Sequence, residues 1–195
     1  MSRLLILSLV VVAIFAGFSL YHKAKAQPAQ ATETNEANTG KILIAYYSWS
    51  GNTKQVAEAI QKEIGGDLFE IQTVKPYSED YHTVTEQAKK EINDGYLPEL
   101  KAKVENLEQY NTVFIGSPNW WGTIAPAVSA FIAENNLSSK RVVPFITHGG
   151  GGEQNTCSNM EKQCKGCLVQ GKCWVGYSSR TFGISGWLED IGLKK

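Results

Sequence analysis

A short polar segment of the chain has the residue types that suit a bound phosphate. It reads Ser48-Trp49-Ser50-Gly51-Asn52-Thr53 and lies between an apolar run and a stretch with helical spacing. The hydroxyls and backbone N–H groups of such a segment converge on the positive end of the following helix, and Gly51 allows a ligand to approach the backbone closely. An ordinary helix-capping turn has a similar composition, so the segment alone leaves both interpretations open.

A second segment places two indoles side by side in a predicted loop. It reads Ser117-Pro118-Asn119-Trp120-Trp121-Gly122. Large apolar side chains in a loop are explained by a flat aromatic ligand that covers them. The alternative is that they fold back onto the core, and we expect one of the two indoles to do so.

The third segment is rich in glycine and reads Thr147-His148-Gly149-Gly150-Gly151-Gly152. Residues without a Cβ let backbone donors lie flat against the edge of a ligand, although a mobile linker has the same composition. A His-Gly-Gly-Gly run also occurs in esterase oxyanion holes, but the chain has no Gly-x-Ser-x-Gly elbow. We interpret His148 as a hydrogen-bonding loop residue that is able to donate a proton to a neighbouring ring.

The elements around these segments alternate between strands and helices. Apolar runs predict strands over 41–47, 68–74, 112–116, 141–147 and 173–177, and helical spacing predicts helices over 53–64, 81–95, 126–134, 155–164 and 185–193. This alternation predicts an α/β fold with a doubly wound parallel sheet of five strands that is covered on both faces. Ligands of such sheets bind at the carboxyl ends of the strands, which is where the three segments lie.

Composition and charge exclude several classes of protein. The 195 residues include 19 Lys+Arg and 19 Asp+Glu, and 43% of them are hydrophobic, which suits one globular domain. A formal net charge of zero gives no attraction for polyanions, so a nucleic-acid partner is not expected. The chain has neither a Walker A motif nor a Gly-x-Gly-x-x-Gly fingerprint after a strand, which disfavours a nucleoside triphosphate.

The N-terminal region is predicted to direct export. Arg3 precedes an uncharged run over 4–20, and Ala24-Lys25-Ala26 has the small-x-small pattern of a signal-peptide cleavage site. Residues 1–26 are therefore predicted to be a signal peptide or a membrane anchor. Residues 27–39 lack aromatic and large aliphatic side chains and are predicted to be a disordered tether. The predicted domain covers 40–195, and any contact with a membrane is predicted to involve the N-terminal segment alone.

Four cysteines lie close together near the C-terminus of the chain: Cys157, Cys164, Cys167 and Cys173. Outside the cytoplasm an even number of cysteines favours disulfides, and three pairings are open. A four-thiolate zinc or iron–sulfur site and a redox-active dithiol at Cys164 and Cys167 are the alternatives. No other metal ligands are predicted.

Taken together, the motifs of the chain resemble the flavodoxin family. The resemblance runs from about 41 to 193 and rests on the run 45–53, on Pro76-Tyr77 with Tyr81, on the run 116–122 and on Pro144-Phe145-Ile146-Thr147. It implies a flavodoxin-like three-layer sandwich with strand order 2-1-3-4-5 and a bound FMN. By position, it implies that Ser48 to Thr53 hold the FMN phosphate, and that Ser117 to Gly122 and Thr147 to Gly151 hold the isoalloxazine ring. Tyr77 and Tyr81 are expected to pack.

The resemblance further implies electron transfer through FMN without a catalytic side chain. The expected partners are a redox protein or a quinone-type donor or acceptor. Unlike cytoplasmic carrier flavodoxins, which are strongly acidic, this chain is neutral overall and has a predicted export segment. Two other functions remain open, namely an FMN-dependent NAD(P)H oxidoreductase and a partner-binding module of flavodoxin shape without FMN.

Overall fold

The computed structural model describes residues 40–195 of the chain. The predicted export segment 1–26 and the predicted tether 27–39 lie outside the described residues. Within 40–195, no helix combines the length and apolar character that a membrane span needs.

Seven strands and five helices follow one another along the described chain. Their bounds are β1 Lys41–Tyr46, α1 Asn52–Ile64, β2 Asp67–Glu70, α2 Tyr81–Asp94, β3 Tyr110–Trp120, β4 Thr123–Ile124, α3 Pro126–Glu134, β5 Arg141–His148, α4 Thr156–Gln163, β6 Leu168–Val169, β7 Trp174–Tyr177 and α5 Ile184–Asp190. A single 3-10 turn at Leu107–Gln109 leads into β3. The α/β class predicted from the alternation of apolar patterns is confirmed.

The strands form one mostly parallel sheet with the order β2-β1-β3-β5-β6. The first part of β5, at Arg141 and Val142, pairs with β6, and its last part, Phe145 to His148, pairs in parallel with β7. The fourth predicted strand, over 141–147, corresponds to β5. At the sheet edge beside it, β6 and β7 together occupy the place predicted for a single fifth strand, so the predicted order 2-1-3-4-5 differs from the observed order only at its last position. The remaining strand, β4, pairs antiparallel with the end of β3.

Helices cover both faces of the sheet, as the continuous apolar strands require. Val56 and Ile60 of α1 pack with Leu188 of α5 against one face. Phe131 of α3 and Met160 of α4 pack against the other face, together with Val84 of α2. Successive residues of the central strands alternate between these two cores, which gives three layers.

Two predicted strands have different lengths in the structure. The strand predicted over 68–74 ends at Glu70, because residues 72–74 turn away and pair with residues 99–101 through the bridge between Thr73 and Leu100. The strand predicted over 112–116 extends instead from Tyr110 to Trp120. The segment Ser117 to Trp120, predicted to be a loop, is therefore strand, since its last residues pair with β4 in a hairpin.

The four cysteines form two disulfides among the described residues, Cys157–Cys173 and Cys164–Cys167, with Cα–Cα distances of 6.2 and 5.6 Å. The first joins the start of α4 to the segment that leads into β7. The second closes the turn after α4. With all four sulfurs paired, the structure has no four-thiolate metal site at these cysteines.

Candidate functional site

The carboxyl ends of β1, β3 and β5 open into a cleft of about 380 Å³. All three segments singled out in the sequence contribute to its walls. The predicted site residues that line it are Trp49, Ser50, Asn52, Thr53, Pro118, Asn119, Trp120, Trp121, Thr147, His148 and Gly149. The structure therefore brings the predicted phosphate, indole and glycine segments together around one space.

The first segment presents free donors at the start of α1. The first N–H groups of a helix have no acceptor within the helix, and among the described residues only that of Lys54 has a partner, Ser48 Oγ at 3.2 Å. Gly51 precedes the helix with φ of 83°, and a Cβ added there would meet no atom within 4 Å. The N–H groups of Asn52 and Thr53 are thus left for a ligand at the positive end of the helix dipole.

Two buried hydroxyls connect the first segment to the third. Thr53 Oγ1 and Thr147 Oγ1 are 2.9 Å apart, and the two residues are only 1% and 2% exposed. Neither hydroxyl has another side-chain hydrogen bond among the described residues. The start of α1 is therefore fixed to the end of β5 at the floor of the cleft, where both side chains also line the wall.

The second segment forms a tight hairpin between β3 and β4. Trp120 pairs with Thr123, and both turn residues have positive φ, 54° at Trp121 and 81° at Gly122. This conformation matches the twist of a two-residue hairpin but is unfavourable for a residue with a Cβ such as tryptophan. A strained bulky residue beside a cleft is typical of a functional site.

The two indoles of the hairpin have different surroundings. Trp120 packs edge-on against Tyr47 and Tyr77, with ring centroids 5.5 and 5.1 Å away. Trp121 is 53% exposed and lies along α2, where its Nε1 donates to Thr85 O at 2.9 Å and Lys89 Nζ lies 4.7 Å from its ring. The expectation that one indole returns to the core is confirmed for Trp120, which keeps part of its surface on the cleft.

The third segment is held by the hairpin. Asn119 Nδ2 donates to Gly152 O at 2.7 Å, and Asn155 N donates to Gly122 O at 3.2 Å. Within the segment, Gly150 N donates to His148 Nδ1 at 3.0 Å. This bond makes Nδ1 an acceptor, so a neutral His148 carries its proton on Nε2, where it is available to a ligand.

The remaining predicted site residues support the cleft without lining it: Ser48, Gly51, Ser117, Gly122, Gly150 and Gly151. Ser117 is fully buried, and its Oγ accepts from Ala125 N at 2.9 Å, which fixes the start of α3. Gly122 N donates to Asn119 Oδ1 at 2.9 Å inside the hairpin. Gly151 O accepts from Gln154 Nε2 at 3.3 Å. The cofactor contacts predicted for these six residues, and for the eleven that line the cleft, stay predictions.

One wall of the cleft belongs to residues of α2 that the sequence analysis did not predict to bind a cofactor. Tyr81, Val84, Thr85 and Ala88 of α2 occupy positions i, i+3, i+4 and i+7, which form one face of a helix, and all four line the cleft. Tyr81, which was expected to pack, is 71% exposed, and its ring lies 6.1 Å from that of Trp49. The helical stripe was visible in the sequence, but nothing in it distinguished a ligand wall from a core face.

Comparison with known proteins identifies the family to which these features belong. The family model described as Flavodoxin matches residues 41–191. The chain belongs to the flavodoxin family. A comparison with curated proteins gives no match.

This flavodoxin is similar to several solved structures. A protein from Bacteroides eggerthii DSM 20697 is 33% identical, with 80% of this chain and 99% of that chain covered and a TM-score of 0.69. A protein from Bacteroides uniformis ATCC 8492 is 27% identical over 77% of this chain and 98% of that one, with a TM-score of 0.67. A flavoprotein from Lactobacillus acidophilus NCFM, solved in complex with FMN, is 26% identical over 76% and 98%, with a TM-score of 0.62. The family and this complex support FMN as the cofactor.

The cleft of this flavodoxin has the chemistry that FMN requires. Among the described residues, its lining contains no Asp, Glu, Lys or Arg, so a phosphate would be held by backbone N–H groups of Ser50, Asn52 and Thr53 and by the hydroxyls of the two that carry one. The indoles of Trp49, Trp120 and Trp121 and the phenol of Tyr81 give the rest of the cleft an aromatic wall. The residues present therefore fit a flat ring system attached to a phosphate.

Proposed function

We propose that this flavodoxin binds FMN in the cleft and transfers electrons between partners outside the cytoplasm. The observation that carries the proposal is the joining of free helix N-terminal donors and an indole-rich wall in one cleft. FMN supplies the one- and two-electron chemistry when it is bound, and the protein sets its potential by stacking and hydrogen bonding.

The residues of the cleft have separate roles in this proposal. Asn52, Thr53 and Ser50 bind the phosphate, and the bond between Thr53 and Thr147 holds the phosphate site at a fixed distance from the glycine segment. Trp120 and Trp121 face the ring system from the hairpin. His148 Nε2 offers a donor at the opposite segment.

The absence of acid–base machinery on the described walls supports an electron carrier over a substrate-specific enzyme. Among the described residues, the lining has no carboxylate and one imidazole, that of His148. Electron transfer by a bound flavin needs no such machinery. The partners proposed are a redox protein or a quinone-type compound, with no nucleic acid involved.

The disulfides support a location outside the cytoplasm. Disulfides persist in oxidising compartments and are rare in the cytosol, and the described residues contain two of them. The predicted export segment at residues 1–26 agrees with this location.

Electron exchange is tested with the FMN-loaded protein under anaerobic conditions. The flavin is reduced with dithionite, the excess is removed, and reoxidation is followed after addition of cytochrome c or a water-soluble quinone. We expect stoichiometric reoxidation by these acceptors and no steady oxidation of NADH or NADPH. Steady NAD(P)H oxidation with a quinone would instead establish the oxidoreductase, and a flavin that exchanges electrons with neither acceptor would refute the carrier.

A further inference from the structure

A continuous line of contacts leads from the cleft into the protein. The ring of Trp120, which lines the cleft, meets the ring of Tyr77 edge-on, with centroids 5.1 Å apart and planes at 84°. Tyr77 is only 8% exposed, and its hydroxyl donates to Glu91 Oε2 at 2.5 Å. Gln87 Nε2 donates to Glu91 Oε1 at 2.8 Å, so both carboxylate oxygens are held in place.

The far end of this line opens on a different space. Glu91 lines a second cavity of about 360 Å³, whose walls include Tyr96, Ile124 and Pro126. The flavin cleft and this cavity have no lining residue in common among the described residues. Trp120 and Tyr77 therefore connect the wall of the cleft to a carboxylate in a second, solvent-accessible cavity.

The chemistry of a buried phenol favours movement of an oxidising equivalent from Trp120 towards Tyr77 and Glu91. Loss of one electron makes a phenol strongly acidic, so its oxidation is favourable only when a base takes the proton. Burial, and next the bond to Glu91, raise the pKa of Tyr77 far above its ordinary value, so the phenol stays protonated until it is oxidised. An indole loses an electron without releasing its proton at once. The order indole, phenol, carboxylate therefore suits stepwise removal of an oxidising equivalent.

We propose that Trp120, Tyr77 and Glu91 form a relay that carries a one-electron oxidising equivalent out of the flavin cleft. The proposal rests on the proposed FMN site, and the oxidant it names is photoexcited oxidised flavin. One electron moves from the Trp120 indole to the excited flavin and leaves an indole radical cation. One electron then moves from Tyr77 to that cation, while the phenolic proton moves to the Glu91 carboxylate.

The products of the relay are neutral Trp120, a neutral tyrosyl radical at Tyr77 and a protonated Glu91. Return of the electron from the reduced flavin and of the proton from Glu91 restores the starting state. The relay moves the oxidising equivalent from the cleft wall to a buried phenol, which protects the indole from permanent oxidation.

Tyr47 provides a matched control within the same cluster. Its ring also meets Trp120 edge-on, with centroids 5.5 Å apart and planes at 83°, and it is 6% exposed. Its hydroxyl has no hydrogen-bond partner among the described residues, so no base is hydrogen-bonded to it to take its proton directly. Both tyrosines contact Trp120, and the charge of Glu91 raises the pKa of Tyr47 as well. Among the described residues, the hydrogen bond to the Glu91 carboxylate is made by Tyr77 alone.

The test is electron paramagnetic resonance of the FMN-loaded protein, frozen during illumination. We expect a neutral tyrosyl signal in the wild type and in Tyr47→Phe. In Tyr77→Phe we expect loss of this signal, with the radical left on indole. In Glu91→Gln, which keeps an acceptor oxygen but removes the base, the tyrosyl yield should fall by about tenfold or more. Persistence of the signal in Tyr77→Phe, or an unchanged yield in Glu91→Gln, would overturn the relay.

A second experiment keeps the relay separate from the FMN proposal. If FMN does not bind, the proposed function fails, and the relay is then tested in the flavin-free protein with azide radicals from pulse radiolysis, which oxidise indoles. The relay predicts that part of the indole radical decays into tyrosyl in the wild type and in Tyr47→Phe, and that this phase is lost in Tyr77→Phe. Equal decay in all three proteins would contradict it.

Discussion

The hydrogen bond between Thr53 and Thr147 gives a prediction that can be worked out from the structure. The two hydroxyls are 2.9 Å apart, the residues are 1% and 2% exposed, and valine has nearly the same shape as threonine. Thr53→Val alone leaves the hydroxyl of Thr147 buried without its partner, and Thr147→Val does the same to Thr53. An unpaired buried hydroxyl costs about 1–3 kcal/mol, so each single variant should lose that much stability.

The double variant distinguishes this explanation from a general loss of packing. Removing both hydroxyls leaves no unpaired group, so Thr53→Val with Thr147→Val should be less destabilised than the sum of the single variants by about 1 kcal/mol or more. Urea unfolding of the flavin-free proteins measures all four free energies of unfolding. Additive losses would refute the reasoning, because they would mean that the two hydroxyls do not depend on each other.

Three further predictions concern the disulfides, the buried phenol and the exposed indole. A disulfide that closes a longer loop restricts the unfolded chain more, so replacing the Cys157–Cys173 pair by serines, with its sequence separation of 16, should reduce stability by about 3 kcal/mol. Replacing the Cys164–Cys167 pair should cost about 2 kcal/mol. Equal losses in urea unfolding would contradict this explanation. The raised pKa of Tyr77 means that the folded state holds the phenolic proton more tightly than the unfolded state, so the free energy of unfolding is retained below pH 10 and falls as the pH rises further. Tyr77→Phe should lose less of its free energy of unfolding over that range than the wild type. An identical pH dependence of unfolding in the two proteins would argue against this explanation. Trp121→Asn removes the indole and introduces a residue that tolerates φ of 54°. The affinity for FMN should therefore fall about tenfold without loss of stability. An unchanged affinity would exclude contact between Trp121 and the flavin.

The layers of the fold were predictable because one signal, the spacing of apolar residues, specifies them. The runs at 41–47 and 141–147 are buried on both sides, and the helices after them have one apolar stripe, so a covered parallel sheet follows. The short strands were not predictable in this way. Thr123–Ile124 and Leu168–Val169 are two residues long, and their pairing depends on the hairpin and on the turn closed by a disulfide.

The candidate site was predictable where loop chemistry is unusual. The polar turn at Ser48 to Thr53, the adjacent indoles and the glycine run lie at the carboxyl ends of three separate strands, and the fold brings them together at one sheet edge. The α2 wall was missed because Tyr81, Val84, Thr85 and Ala88 have the ordinary spacing of a core-facing helix. Its role depends on how α2 lies beside the hairpin, where Trp121 Nε1 donates to Thr85 O.

The strain at Trp121 connects stability to function. A left-handed conformation is unfavourable for tryptophan, yet the hairpin holds this indole against α2, with the ammonium of Lys89 over its ring. Asparagine or glycine would fit the turn better. The presence of a large ring at this position is explained if the ring contacts a ligand in the cleft.

The most direct test of FMN binding in the cleft is a titration of the flavin-free protein with FMN, followed by flavin fluorescence. We expect saturable quenching at one FMN per chain with a micromolar or lower dissociation constant, because the isoalloxazine ring would lie against indoles and a phenol. A folded protein that leaves FMN fluorescence unchanged at all concentrations would contradict the assignment of the cleft and, with it, the proposed electron carrier.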